Sequence, residues 1–105
     1  MPYIITRCWY PPNKLDEVVK KYLKVMEKYP PDDSLGKQIV PVATTTSKDG
    51  LESLSVTEVE NQKVGDALDR EKTAFIEFRN IEGFKYEIKT WTTVEEGLSR
   101  MGSGG

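Results

Sequence analysis

QIVPVATTT (38–46), SKDG (47–50) and LESLSVTEVE (51–60) form the stretch that decides the fold. Two β-prone runs flank Asp49-Gly50, a dipeptide that tolerates the positive φ of a tight hairpin. The first run reads as a strand over 38–46 and the second as a strand over 51–60. Pro41 cannot donate a ladder hydrogen bond, so the first of these strands belongs at a sheet edge or carries a bulge.

The polar stretch 32–36 precedes this hairpin as a loop. Upstream of it, Leu15, Val18, Val19, Tyr22, Leu23, Met26 and Tyr29 recur at spacings of three and four, the mark of an amphipathic helix. Asn13 is placed to cap it and Asp16 to meet its positive end. Pro30-Pro31 stops it. Before the helix, YIITRCWY (3–10) is β-branched and aromatic and halts at Pro11-Pro12, so it reads as the opening strand.

Downstream, Val64, Ala67, Leu68, Glu71, Phe75 and Phe78 predict a second helix over about residues 63–80. Gly83 suits a left-handed cap behind it. FKYEIKTWT (84–92) alternates as a strand, and 94–101 suits a short terminal turn of helix. Residues 1–101 thus form one domain, and 102–105 (GSGG) read as a flexible tail or linker.

The order β-α-β-β-α-β is that of the split βαβ, or ferredoxin-like, unit. The predicted fold class is α+β: a four-stranded antiparallel sheet with both helices on one face and the other face open. The first and third strands are expected in the middle. Alternation divides each strand between the faces. Ile4, Thr6, Cys8, Val40, Val42, Thr44, Leu54, Val56, Phe84, Tyr86 and Ile88 are expected under the helices. The open face is expected to carry Tyr3, Ile5, Arg7 and Trp9 on the first strand and Ile39, Pro41, Ala43 and Thr45 on the second. Ser53, Ser55, Thr57 and Val59 join them from the third, and Lys85, Glu87, Lys89 and Trp91 from the fourth.

Composition narrows the chemistry. The chain of 105 residues is 37% hydrophobic and 30% charged, suited to a single domain with a modest core. Its net charge of −2 argues against nucleic acid as the main partner. Lys20, Lys21, Lys24 and Lys28 read as a solvated helix face. No apolar run is long enough to span a membrane and no signal peptide is visible. With Cys8 the sole cysteine, a cytoplasmic location is expected.

Histidine is absent, which removes His-based metal sites and His-activated nucleophiles. Cys8 therefore reads as a small buried hydrophobe. Asp32-Asp33 and Glu95-Glu96 lack the spacing of a calcium loop, and the glycines are too scattered for a phosphate loop. No metal and no cofactor is expected.

The open face, with its two Trp and its charges, is unlike plain solvent surface. Three readings of it compete: a dimer interface, a ligand cavity closed by that dimer, or a rim of minor ion pairs. Arg7, Trp9, Ser55, Thr57, Glu87, Lys89 and Trp91 are the candidate ligand-binding residues. No catalytic residue stands out.

The strand order, the length and this polar-aromatic face over residues 3–98 resemble the dimeric α/β-barrel superfamily. That group includes the antibiotic-biosynthesis-type monooxygenases, the muconolactone-isomerase-like proteins and the stress-responsive barrel proteins. The resemblance is one of architecture and implies a homodimer with a central cavity. A homo-oligomeric protein binding a small ligand between the sheets is the first expectation. A cofactor-independent monooxygenase or isomerase acting on a small aromatic or carbonyl substrate is the alternative, with Glu87 as base and Arg7 as oxyanion partner. A ligand-sensing regulatory module is a third.

Overall fold

A computed structural model describes residues 1–104, apart from the side chains at 100 and 102–104. Four strands form one antiparallel sheet in the order β2-β3-β1-β4. They are β1 (Tyr3–Tyr10), β2 (Lys37–Ser47), β3 (Gly50–Glu58) and β4 (Lys85–Trp91). Helix α1 (Leu15–Lys28) joins β1 to β2, and α2 (Val64–Phe75) joins β3 to β4. The central strands are β1 and β3, and the Pro41-bearing strand is an edge, as the sequence reading expects.

Local chemistry explains the boundaries. Asp16 and Glu17 stand in the first turn of α1 and Lys28 in its last, the arrangement the helix dipole favours. Asn13 does not cap this helix. It lies inside a 3₁₀ turn, Pro12–Lys14, that leads into α1 without any side-chain cap. Likewise α2 ends at Phe75 and tightens into a 3₁₀ turn, Ile76–Phe78, instead of running to residue 80. The hairpin loop is Lys48-Asp49, with Gly50 alone in positive φ, at 129°. A Cβ at Gly50 would lie 2.5 Å from the backbone oxygen of Tyr10, so both the conformation and the space demand glycine. A third helix, α3 (Val94–Gly104), is longer than the expected terminal turn and enters the predicted tail. Residue 105 lies outside the described residues.

Both helices cover one face of the sheet. Cys8 and Tyr10 of β1 pack with Val18 and Val25 of α1 and with Phe78 and Ile81. Ile4 packs with Ala67 of α2 and with Val59, which has no exposed surface at all. Val59 therefore belongs to the core and not to the open face. Phe78 and Phe84 stack at 4.8 Å, and Phe75 and Tyr86 extend the aromatic layer. Burial on α1 is narrower than its apolar pattern: Val18 and Val25 are inside, whereas Leu15, Val19 and Leu23 face solvent.

The largest correction concerns β3. Its register against β1 pairs Ile4 with Thr57, Thr6 with Ser55 and Cys8 with Ser53. Directly paired residues share a face, so these small hydroxyl residues lie under the helices. Leu54 and Val56, expected in the core, pair with Arg7 and Ile5 on the open face. Two irregularities in β2, between Gln38 and Val40 and between Val40 and Ala43, reset its alternation. Each shifts the phase by a residue and exchanges the faces. Val40 consequently joins Val56 on the open side.

Candidate functional site

The open face resolves into rows running from β4 to β2. Lys89, Ile5, Val56 and Val40 form one row, and Glu87, Arg7, Leu54 and Ala43 the next. Outside these lie Trp91, Tyr3 and Glu58 at one end and Lys85, Trp9 and Glu52 at the other. The middle of this face is thus Ile5, Leu54 and Val56 with Arg7 among them, and its borders are charged and aromatic.

Arg7 Nε and Nη2 donate to Glu52 Oε2, at 3.1 and 2.5 Å, and the guanidinium lies 5.2 Å from the centre of the Trp9 ring. The Glu52 carboxylate and the Arg7 guanidinium hold each other charged: the former sits below the usual carboxyl range and the latter above its ordinary value. Glu87 approaches Lys89 Nζ at 3.5 Å. Of the predicted site residues, Arg7, Trp9, Glu87, Lys89 and Trp91 share this face. Ser55 and Thr57 do not, because the β3 register turns them to the other side.

Beneath the helices the sheet floor is polar where a core would be expected. Ser53, Ser55 and Thr57 of β3 lie beside Thr6 and Cys8 of β1. Two adjoining cavities open above this floor, of about 160 and about 170 Å³. They share Tyr22, Val42, Ser55, Phe75 and Phe78 as walls. A dry cavity of roughly 150 Å³ accepts benzene, so each has room for one small ring.

The chemistry of this space centres on Glu71. Thr6 Oγ1 donates to Glu71 Oε1 at 3.0 Å, linking the floor of one cavity to the wall of the other. Burial pushes the Glu71 carboxyl above its ordinary value, and the Thr6 bond only partly opposes this. A carboxyl withdrawn from water without a cation beside it keeps its proton to higher pH. Oε2 makes no protein hydrogen bond. Among the described residues no buried side-chain polar atom lacks a partner, so Oε2 retains contact with solvent-accessible space, and Glu71 lines the first cavity.

Ser53 gathers a second polar group. Its hydroxyl lies 2.9 Å from Thr44 Oγ1 and 3.5 Å from the Tyr10 hydroxyl. Cys8, beside it, is buried, and desolvation raises its thiol pKa, so it remains protonated and unreactive.

Sequence reasoning passed over Glu71 as a site residue, although the signal was present. It is the one charged residue in the series Val64, Ala67, Leu68, Glu71, Phe75 and Phe78 that marks the inner stripe of α2. A carboxylate on an apolar stripe costs stability unless it is neutralised or used. Among the described residues no helix is long and apolar enough to cross a membrane, and no Cys, Asp or Glu cluster could hold a metal ion. No protein-family model matches the chain, and a search of curated proteins finds no significant match.

Proposed function

We propose that this chain is a ferredoxin-like domain of the dimeric α/β-barrel kind, paired with a second copy through its open sheet face, and that it binds a small ligand under its helices. The observation that carries the reading is the division of the sheet. Ile5, Leu54, Val56 and Val40 form an aliphatic centre on the uncovered side, while the covered side is left hollow. An aliphatic group set around Arg7 and bordered by charged and aromatic residues has the composition of an interface with a largely apolar core and a polar rim. A twofold axis through such a patch makes it self-complementary.

The apolar character continues past β4. Trp91 is 53% exposed on the same face, and Val94, Leu98 and Met101 form an exposed stripe on α3. In this reading Arg7, Trp9, Glu87, Lys89 and Trp91 frame the dimer, and the ligand sits beside Ser55, Thr57 and Glu71. Light scattering on the eluting protein tests the pairing. Twice the monomer mass is expected for the native chain and the monomer mass for Leu54→Lys. A native chain that elutes as a monomer at all concentrations contradicts it.

Glu71 favours a second reading, a cofactor-independent enzyme such as an isomerase or monooxygenase. A carboxyl that keeps its proton to higher pH inside a cavity is suited to general acid-base work. Glu87, the base candidate by sequence, lies on the open face, as expected, with Lys89 Nζ at 3.5 Å.

A further inference from the structure

We infer that Glu71 and Thr6 form the polar end of a recognition site for a small neutral molecule that carries a carbonyl oxygen on an aromatic or aliphatic ring. The inference rests on the reading that the cavity holds a ligand and specifies which one. Three features carry it. The first is size, since the paired spaces of about 160 and 170 Å³ suit one or two rings. The second is the wall, which presents Phe75, Phe78 and Val42 to the ligand body.

The third is the hydrogen-bond geometry. Thr6 donates to Oε1, which fixes that oxygen as an acceptor and leaves Oε2 free to meet a ligand in the cavity that Glu71 lines. A proton on Oε2 makes it a donor facing inward, and a carbonyl oxygen is the complementary acceptor. Desolvation favours this protonated form.

The groups around Glu71 leave that proton in place. From β1 come Thr6 and, in the adjoining cavity, the Cys8 thiol. Helix α1 offers the phenol of Tyr22, and Tyr29, just past its end, offers another. The loop after α1 brings Asp32 and Asp33 to the first cavity. Asp32 accepts from the Ser34 amide and hydroxyl and is held below the usual carboxyl range. Arg70, on α2 itself, donates to the Pro30 carbonyl at 2.6 Å. The two hairpin strands line the cavity with uncharged residues only, among them Gln38, Ser55 and Thr57.

Acetophenone and ethylbenzene, matched in shape, are the probes. Their binding is followed by amide chemical shifts of Ser53, Ser55 and Glu71 across the acidic to mildly alkaline range. One hydrogen bond predicts acetophenone about 3- to 10-fold tighter than ethylbenzene at low pH. That preference shrinks as pH rises through the Glu71 titration. Glu71→Gln keeps an amide donor, so it retains the preference without the pH dependence. Glu71→Leu binds both probes alike.

Equal binding of the two probes to the native protein at every pH overturns the role of Glu71 while leaving the cavity reading intact. Absence of any shift with either probe overturns both. Tighter binding of phenethylamine than of acetophenone, growing as pH rises, overturns the neutral-ligand assignment in favour of a charged carboxylate. The native protein alone decides these outcomes, whether or not the variants fold.

Discussion

The two faces of one sheet differ in an instructive way. On the covered side, β1 and β3 bring together Thr6, Ser53, Ser55 and Thr57 beneath two helices. On the side away from α1 and α2 the same strands present Ile5, Leu54 and Val56. On β3 polarity thus runs opposite to coverage. Burial within one chain and burial within an assembly are different quantities, and the composition of a strand reflects both. A hollow lined by hydroxyls and carboxyls is a poor way to fill a core, because cavities and unpaired polar groups cost stability.

The sharpest contrast comes from truncating one apolar residue on each face. Phe78 is 4% exposed and stacks on Phe75 and Phe84. Phe78→Ala is expected to cost about 3–5 kcal/mol, read from urea unfolding. Leu54→Lys on the open face is expected to leave the monomer fold intact and to weaken dimerisation by at least about 100-fold. Each substitution counts twice in a twofold dimer, and each lost leucine contact is worth about 1.5–3 kcal/mol. If Leu54→Lys unfolds the monomer as Phe78→Ala does, the two faces are not distinct.

A smaller effect probes the hollow itself. The folded chain holds the Glu71 proton above the pH at which an unfolded glutamate releases it. The resulting stability is complete below the ordinary carboxyl value. It is lost as pH climbs through the raised folded value. Native stability minus that of Glu71→Gln should therefore fall over this window. Asp32, Glu52 and Glu96 are shifted the other way, so their contributions disappear as pH drops through their folded values. They cancel in the difference. A flat difference curve means that Glu71 is solvated and ionises normally.

The least change is expected from Arg7→Ala. Its ion pair with Glu52 is solvent-accessible on the open face of the single chain, where such pairs contribute little to folding. Thermal unfolding of a dilute, monomeric sample should match that of the native chain within error.

Much of this architecture was legible in the residues. The opening strand YIITRCWY occupies the expected residues 3–10, and the amphipathic series of both helices place α1 and α2. Pro41 announced an irregular edge strand. The phase of β3 was not legible, because Leu54 and Val56 alternate with Ser53, Ser55 and Thr57 just as a core strand would. Only the cross-strand register to β1 shows which set faces the helices. The β2 irregularity between Val40 and Ala43 falls at Pro41, where the sequence pointed, whereas the one between Gln38 and Val40 was hidden, since it depends on how the backbone meets its neighbour and not on composition. Glu71 was visible as an acidic residue on an apolar stripe, but its significance required the cavity.

The division of labour between the faces is tested most directly by isotope-filtered NOE spectroscopy on a dimer assembled from labelled and unlabelled chains. Intermolecular contacts are predicted at the methyl groups of Ile5, Leu54 and Val56, and none at Val18 or Val25. Contacts centred instead on Leu15, Val19 and Leu23 of α1, with the open-face methyls silent, would contradict the account.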